Sequence, residues 1–204
     1  MRIAISGSHS LGKSTVVNDW VASLPRFLRE EEPYRALGLF GPYEIKFREA
    51  STRIQNGIQL YYNISRIHRY SSRSLDVIFD RAPVDYLAYS QYTANQATTD
   101  IDDAFVTSMV PAVRESLDHL DILAFVPKSD YWPVAMEEDG IRPVDHAYRD
   151  DVDAIFKEIY RDGRFDVMPR EHAPRLIELV GPAEQRLDQL SHAIRTLQQE
   201  SRSA

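Results

Sequence analysis

The chain has 204 residues, 43% of them hydrophobic, a formal net charge of −7 at pH 7 and no cysteine. A chain of this length can bury one sizeable core, so we expect a single domain over residues 1–204. The lack of cysteine excludes disulfides, zinc–thiolate sites, iron–sulfur clusters and thiol catalysis, and the negative charge argues against a broad nucleic-acid-binding face.

The pattern of apolar residues predicts strands and helices that alternate along the chain. Short apolar runs typical of buried strands lie at residues 2–6, within 26–31, and at 74–80, 122–126 and 176–180. Apolar residues at helical spacing predict helices at residues 13–24, 47–70, 84–94, 100–120 and 147–161, and a closing helix that begins at Pro182. Pro111 predicts a kink or break in the fourth helix.

This alternation predicts a parallel sheet with helices on both faces, because parallel neighbours require crossover connections. Ligands of such sheets bind beyond the carboxyl ends of the strands. Gly7, Asp80 and Pro127 each stand at such an end. We therefore expect these three residues to gather at one edge of the sheet.

Residues 7–14 read Gly-Ser-His-Ser-Leu-Gly-Lys-Ser and match the whole phosphate-binding pattern G-x-x-x-x-G-K-[ST], between a predicted strand and a predicted helix. Glycines at both ends let the backbone curl so that its N–H groups converge on phosphate oxygens. The residues predicted to bind the nucleotide are Gly7, Ser8, His9, Ser10, Leu11, Gly12, Lys13, Ser14 and Thr15.

Within this loop, Lys13 is expected to reach the β- and γ-phosphates and Ser14 to offer its hydroxyl to Mg²⁺. The helix that starts here aims its positive end at the same phosphates. The chain lacks an Asn-Lys-x-Asp motif of the kind that selects GTP. The loop therefore predicts a nucleoside triphosphate with Mg²⁺ as its metal ion, and the choice between ATP and GTP stays open.

Asp80 ends a predicted apolar strand and is the second candidate for chemistry. An aspartate at this position can hold a Mg²⁺-bound water or accept a proton from an attacking hydroxyl, although it can also serve as a turn or cap residue. Arg81, Asp85 and Tyr89 add further polar groups at the same strand end and helix start. The cluster favours a catalytic interpretation.

Three segments resemble those of known kinases. Residues 79–89, Phe-Asp-Arg-Ala-Pro-Val-Asp-Tyr-Leu-Ala-Tyr, resemble the Asp/Glu-Arg motif of P-loop nucleoside and nucleotide kinases. Glu32-Pro33-Tyr34-Arg35 and the segment 59–66 are similar to the Glu-Pro and Gln-containing substrate-side motifs of deoxynucleoside kinases. Over nearly its whole length the chain resembles the small AAA-labelled P-loop kinase-like ATPases, which include the ribosylnicotinamide kinase domain.

The resemblance implies a three-layer α/β P-loop NTPase fold and phosphoryl transfer from ATP to a nucleoside, a nucleotide or a nucleoside-like acceptor. It implies that Asp80, or alternatively Glu32, is the base or the group that orients the metal, with Ser14 as a further metal ligand. Arg81 would hold the acceptor or the transferring phosphoryl group. The residues expected to bind the acceptor are Glu32, Arg35, Gln59, Asp85 and Arg149.

One departure from the family pattern leaves the acceptor open. Deoxynucleoside kinases usually have Glu-Arg-Ser where this chain has Asp80-Arg81-Ala82.

Residues 181–186 follow the last predicted strand, where related kinases enclose the adenine base. We interpret the side chains of this segment as those of a turn and a helix start.

A lid is predicted within residues 128–150, because residues 128–146 are polar and interrupted by Pro133, Gly140 and Pro143. A lid that closes over phosphates can bring an arginine to the transferring group. Arg142 lies in the segment at a place that resembles the lid arginines of nucleotide kinases. The predicted catalytic residues are therefore Lys13, Asp80, Arg81 and Arg142.

Two other functions remain open from the sequence: a regulatory or switch ATPase that acts on a protein partner, and a nucleotide-binding protein that has lost its chemistry.

The expected partner is a small phosphoryl acceptor rather than nucleic acid. A homodimer is a further expectation, since many such kinases pair through their long helices. The six histidines lack the spacing of a metal site.

The first residues of the chain lack the features of a secretory signal, which combines a basic start, a long apolar stretch and a small-residue cleavage site. No apolar run approaches the roughly 20 residues that span a bilayer. We therefore expect a cytoplasmic protein without a membrane partner.

Overall fold

A computed structural model of the chain describes residues 1–38, 45–72, 74–136 and 145–203. The strands in these ranges are β1 (Arg2–Ser6), β2 (Phe27–Glu30), β3 (Asp76–Asp80), β4 (Ile122–Phe125) and β5 (Arg175–Glu178). The α-helices are α1 (Lys13–Ser23), α2 (Pro33–Gly38), α3 (Arg53–Ser71), α4 (Pro83–Gln96), α5 (Asp103–Leu117), α6 (His146–Arg161) and α7 (Ala183–Ser203). Short 3₁₀ turns occupy Arg48–Ala50 and Arg164–Asp166.

The five strands form one sheet in the order β2-β3-β1-β4-β5, and every neighbouring pair is parallel. Apolar residues of α1 and α7 pack on one face of the sheet. Those of α3, α4, α5 and α6 pack on the other face. The predicted three-layer α/β P-loop fold is confirmed, and its core is divided between the two faces of the sheet.

The strand register brings the predicted ligand-binding edge together around the central strand β1. Ile5 pairs with Asp80 on one side, and Ser6 pairs with Phe125 on the other. The Val126 amide donates to the Ser6 carbonyl oxygen over 2.9 Å, which continues the pairing by one residue. The loop after β1 therefore starts between the ends of β3 and β4.

The helix predicted from residue 47 is shorter than expected, because α3 begins only at Arg53. Thr52 caps this helix through a capping box: its hydroxyl accepts from the Gln55 amide, and the Gln55 side chain accepts from the Thr52 amide. Residues 48–50 form a separate turn in which Arg48 has a φ of 59°.

The helix predicted at residues 100–120 is also shorter than expected. It begins later, at Asp103, and ends earlier, at Leu117. Asp102 caps its start by accepting from the Phe105 amide over 2.8 Å. Pro111 lies inside this helix, and the predicted break there is wrong, since the helix continues past it.

Candidate functional site

The glycines of the phosphate-binding loop are required by its geometry. Gly7 has a φ of 136°, and a Cβ atom there would stand 2.6 Å from the Val126 carbonyl oxygen. Gly12 has a φ of 79° and caps α1, with the Arg186 guanidinium 3.2 Å from the position of a Cβ atom. Side chains at these positions would strain the backbone or collide with it, which explains the two glycines that define the motif.

Lys13 is buried inside the loop and donates from Nζ to the Ser8 carbonyl oxygen. Burial and the neighbouring Arg81 together lower the pKa of Lys13 to about 7, against the opposing effect of Asp85, Glu32 and Asp80. The ammonium form of this group is poorly solvated, and phosphate oxygens can replace the Ser8 carbonyl oxygen as its hydrogen-bond partner.

The outer part of the loop is docked on the first turn of α6. The Ser8 hydroxyl donates to the Arg149 carbonyl oxygen over 3.0 Å. The His9 ring stacks on the Tyr148 ring, with 4.7 Å between centroids and 27° between planes. Ser8 and His9 are buried, Ser10 and Ser14 are half-buried, and Thr15 is exposed.

Asp80 lies at the end of β3, and its side chain is 1% exposed. Its Oδ2 atom is 3.4 Å from Nη2 of Arg29, whose guanidinium also binds Glu31 over 2.9 Å and Asn18 over 2.7 Å. Its Oδ1 atom is buried and has no hydrogen-bond partner among the residues that the structure describes. A buried carboxylate oxygen without a partner is an unmet acceptor, which a cation or a metal-bound water can satisfy.

The residues at this edge suit Mg²⁺, which prefers oxygen ligands and is usually held by one or two carboxylates together with water and substrate phosphates. Ser14 supplies a hydroxyl, and Asp80 supplies the unmet carboxylate oxygen. In the described ranges, no group of three or more His, Asp or Glu could hold a metal ion by itself. Ser14 and Asp80 thus fit an ion whose remaining ligands are water and nucleotide phosphates.

Arg81 connects several parts of the site through one buried guanidinium. Its Nε donates to Glu32 Oε1 over 2.8 Å, and its Nη2 lies 2.7 Å from the same oxygen. Its Nη1 donates to the Gly7 carbonyl oxygen over 3.0 Å, to Asp85 over 3.2 Å and to the Tyr89 hydroxyl over 3.1 Å. Although burial opposes its charge, Glu32 and the other neighbouring groups raise the pKa of Arg81 well above its ordinary value, so the residue stays cationic.

Asp85 lies beneath Arg81 and is fully buried. The Ser6 hydroxyl donates to Asp85 Oδ1 over 2.5 Å, and the same hydroxyl is 2.6 Å from the Tyr160 hydroxyl. Burial raises the pKa of Asp85, while the cations Arg81 and Lys13 favour its charged form. Asp85 was expected to contact an acceptor. Its carboxylate instead accepts a hydrogen bond from Arg81 Nη1.

A cavity of about 500 Å³ opens beside the loop. Its lining includes the Glu32–Arg81 pair, amide and hydroxyl side chains, and several aromatic rings. The lining residues are His9, Glu32, Ile45, Lys46, Phe47, Arg48, Ala50, Ser51, Asn56, Gln59, Arg81, Tyr86, Tyr89, Thr93 and Tyr148. A cavity of this size, mostly apolar with a few convergent polar groups, suits a small ring-bearing molecule.

A second cavity of about 150 Å³ lies on the other side of the phosphate loop. It is lined by Leu11, by residues 127–130 and 132–134, by Arg149 and by Arg186. Arg149 donates from Nη1 to the Val134 carbonyl oxygen over 3.0 Å. Arg149 was expected to bind the acceptor, and its side chain lines this smaller cavity instead of the larger one.

Arg186 joins the phosphate loop to the segment after β5. Its Nη1 donates to the Leu11 carbonyl oxygen over 2.6 Å, and its Nε donates to the Gly181 carbonyl oxygen over 2.8 Å. Burial lowers the pKa of Arg186. The sequence interpretation of residues 181–186 as only a turn and a helix start missed this contact, which crosses 175 positions of the chain.

Most of the residues predicted for chemistry come together. Lys13 interacts electrostatically with Asp80, Glu32 and Arg81. Gln59 is buried in the wall of the larger cavity. Arg35 is more exposed and lies 3.6 Å from Glu32. Arg142 lies outside the described residues, as do residues 137–144 of the predicted lid.

The two ends of the predicted lid differ in structure. Residues 128–136 carry no helix or strand, whereas Asp145 caps α6 by accepting from the Tyr148 amide over 3.0 Å. Helix α6 begins at His146, so residues 146–150 of the lid range are helical.

Sequence reasoning missed several groups in the site. Arg29 pairs with Asp80, and Arg48 binds Asp145 over 3.0 Å while its guanidinium lies 4.8 Å from the centre of the Tyr148 ring. The only sequence signal for these residues was the presence of charge near a strand end or turn, which also describes ordinary surface residues.

A protein-family model described as an AAA domain matches residues 2–175. No curated protein matches the chain by sequence. Among solved structures, deoxyadenosine kinase from M. mycoides, with its products dCMP and dCDP bound, superposes with a TM-score of 0.67 at 14% identity, over 96% of this chain and 100% of that one.

The structure of NadR in complex with NR gives a TM-score of 0.63 at 13% identity over 96% of this chain, which spans only 51% of the NadR chain. Thymidylate kinase from Candida albicans gives a TM-score of 0.55 at 13% identity, over 96% of this chain and 91% of that one. At these identities the likeness concerns the fold.

Proposed function

This chain belongs to the AAA domain family and has a P-loop kinase-like fold, and on that basis we propose that it transfers the γ-phosphoryl group of ATP to a hydroxyl of a small nucleoside-like metabolite. The observation that carries the proposal is the buried Glu32–Arg81 pair, which lies in the larger cavity and reaches the phosphate loop through the Gly7 carbonyl oxygen. Phosphoryl transfer depends mainly on positioning and electrostatic stabilisation, and this site is built from groups that do both.

On the donor side, the backbone of residues 7–12 and Lys13 hold the β- and γ-phosphates. Ser14 and Asp80 would hold Mg²⁺, which when bound adds positive charge to the phosphate oxygens. The unmet Oδ1 atom of Asp80 supports this assignment.

On the acceptor side, we assign Glu32 as the base. Glu32 lines the larger cavity, whereas Asp80 does not. Its carboxylate would accept the proton of the attacking hydroxyl as the oxygen bonds to phosphorus and the bond from the γ-phosphorus to ADP breaks. Arg81 holds that carboxylate in place, and its charge stabilises the transferring group.

The charges around the cavity favour an uncharged acceptor over a monophosphate. Arg81 is already paired with Glu32 and Asp85, and Arg48 with Asp145. Lys46 also lines the cavity but is exposed. A phosphate group would have to compete with carboxylates for these arginines, whereas a hydroxyl only needs an acceptor such as Glu32.

The walls of the cavity suit a planar ring. Phe47, Tyr86 and Tyr89 supply aromatic surface, while Asn56 and Gln59 supply amide groups. Rings stacked on aromatic side chains and read by amides are the common way in which proteins bind nucleobase-like groups. We therefore propose a nucleoside or a compound of similar shape.

The remaining expectations stay proposals. Arg142 would bring positive charge to the transferring group when the lid closes, and we propose that Arg149, which lines the smaller cavity, contacts the nucleotide. A homodimer is supported by Ile54 and Tyr61, which are 67% and 58% exposed on α3. In the described ranges no helix is long and apolar enough to span a membrane, and a cytoplasmic location remains an expectation.

An ATP-consumption screen with Mg²⁺ tests the function against nucleosides, nucleoside monophosphates, nicotinamide riboside and other small alcohols. Acceptor-stimulated turnover that is lost in Lys13→Ala and Glu32→Gln is the expected result. Glu184→Gln, at an exposed position of α7, is the matched control and should behave as the unmodified chain does.

Two results would contradict the proposal. ATP hydrolysis that no acceptor stimulates would favour the switch ATPase and direct the search to a protein partner. Nucleotide binding without any turnover would favour a protein that has lost its chemistry.

A further inference from the structure

His9 is part of the phosphate-binding loop, and its side chain lines the larger cavity, which is the proposed acceptor cavity. It is 2% exposed and lines the larger cavity together with Glu32 and Arg81. Leu11, two residues later in the same loop, lines the smaller cavity instead. The loop therefore forms a partition between the two cavities, and His9 is its side chain on the acceptor side.

The His9 ring is held in one orientation by α6. It stacks on Tyr148, whose own ring contacts the edge of Tyr92 at a centroid distance of 4.6 Å. The Arg48 guanidinium covers Tyr148 as well, at 4.8 Å. A side chain fixed by such packing loses little conformational entropy when it contacts a ligand.

The backbone of the loop is anchored to the same helix, since the Ser8 hydroxyl donates to the Arg149 carbonyl oxygen over 3.0 Å. Two consecutive loop residues thus dock on two consecutive residues of α6. The position of the imidazole relative to the phosphate-binding amides is set by these contacts rather than by the loop alone.

Building on the proposed function, we propose that His9 contacts the acceptor directly, through a hydrogen bond between its imidazole and a polar group of the acceptor close to the transferring phosphoryl group. The loop amides surround the phosphates, so a side chain that leaves the loop toward the acceptor cavity stands where the two substrates meet. An imidazole can donate or accept a hydrogen bond at this point, which phenylalanine cannot.

Two variants separate contact with the acceptor from packing on Tyr148. His9→Phe keeps an aromatic ring and loses the hydrogen bond, while His9→Gln keeps a polar group and loses the ring. We would measure acceptor and ATP KM values and kcat for the full chain, with adenosine, cytidine, thymidine and nicotinamide riboside as probe acceptors. His192→Ala, at an exposed histidine of α7, is the control and should leave all values unchanged.

In His9→Phe we expect the KM of the acceptor, or kcat/KM for it, to worsen by about tenfold, the size of effect of one lost hydrogen bond. The KM of ATP and the affinity for AMP-PNP should stay within about twofold, which also shows that the variant is folded. His9→Gln should recover part of the loss.

Acceptor kinetics in His9→Phe equal to those of the unmodified chain would overturn the inference, because packing on Tyr148 would then be the whole role of His9. A loss of AMP-PNP affinity equal to the loss for the acceptor would also overturn it, since the ring would then serve the loop. If none of the probes stimulates turnover of the unmodified chain, the proposed function itself fails, a result distinct from either of these.

Discussion

Arg81 donates a hydrogen bond to the carbonyl oxygen of Gly7 over 3.0 Å, and this contact joins the larger cavity to the phosphate loop. The same guanidinium binds Glu32, so the proposed base and the loop share one cation. Arg81 also has a φ of 129°, an unusual value for a residue other than glycine, which indicates that the fold holds this position under strain.

Arg81→Lys should lower kcat by about a hundredfold or more while nucleotide affinity changes little. A lysine keeps the charge but cannot bind Glu32, Gly7 and Asp85 at once, because its ammonium is a point donor on a flexible stem. Steady-state kinetics beside AMP-PNP titration would measure both effects. Arg195→Lys, at an exposed position of α7, is the matched control. A kcat close to that of the unmodified chain would contradict the role given to the guanidinium.

Asp85→Asn should destabilise the fold by about 3–5 kcal/mol, the usual cost of removing one partner of a buried ion pair. Asn retains the shape of the side chain, so the loss reports the charge opposite Arg81. Urea unfolding followed by circular dichroism would give the free energy of unfolding. Asp188→Asn, at an exposed position of α7, should change it by less than about 0.5 kcal/mol.

A free energy of unfolding unchanged in Asp85→Asn would mean that Asp85 is protonated in the folded protein, as burial favours.

Nucleotide binding should take up a proton at slightly alkaline pH. Burial lowers the pKa of Lys13 to about 7 in the free protein, so at pH 8 most of its amine is neutral. Phosphate oxygens favour the ammonium form and raise this pKa, so binding at pH 8 draws close to one proton from solution, whereas at pH 6 the amine already carries it. Calorimetric titration with AMP-PNP in buffers of different ionisation enthalpy measures the uptake. Equal uptake at both pH values would contradict this account.

Arg186→Met should weaken AMP-PNP binding by about tenfold or more, with no effect on the KM of the acceptor. The variant loses the hydrogen bonds to Leu11 and Gly181 and leaves two buried carbonyl oxygens unpaired. Fluorescence or calorimetric titration would measure the affinity. Arg195→Met is the control at a neighbouring exposed position. Unchanged AMP-PNP affinity would show that the loop holds its shape without Arg186.

Gly7→Ala and Gly57→Ala should have opposite effects on stability. A Cβ at Gly7 would stand 2.6 Å from the Val126 carbonyl oxygen at a φ of 136°, whereas nothing lies within 4 Å of a Cβ at Gly57. We expect Gly7→Ala to lower the melting temperature and abolish AMP-PNP binding. Gly57→Ala lies in helix α3 and should stabilise the fold by about 0.5–1 kcal/mol. Thermal unfolding of both variants checks the pair, and a lower melting temperature for Gly57→Ala would contradict it.

The fold was predictable because its signals are local. Buried strands are short apolar runs, and the loop at residues 7–14 defines its own strand–loop–helix context. The errors in the elements also have local causes: Thr52 and Asp102 cap their helices later than apolar spacing alone suggests. Caps depend on one side chain, which a periodic pattern does not detect.

The site was predictable only in part. Asp80 ends β3 and Arg81 follows it, so the sheet topology alone brings them to the loop. The position of Arg149 in the smaller cavity, the support of Arg81 by Asp85 and the contact of Arg186 with Leu11 depend on how distant elements pack, which residue types do not specify. The catalytic roles of all these residues remain predictions until the variants are measured.

The lining of the larger cavity combines groups near strand ends with a wall built from other elements. Glu32 and Arg81 stand near the ends of sheet strands, while residues 45–48, 50 and 51 and side chains of α3 and α4 form much of the wall. Substitutions in that wall can therefore redirect the protein toward a new acceptor while the groups at the strand ends keep their geometry. Under the proposed function, acceptor preference is an exchangeable property, carried by the wall of the cavity beside an unchanged set of strand-end groups.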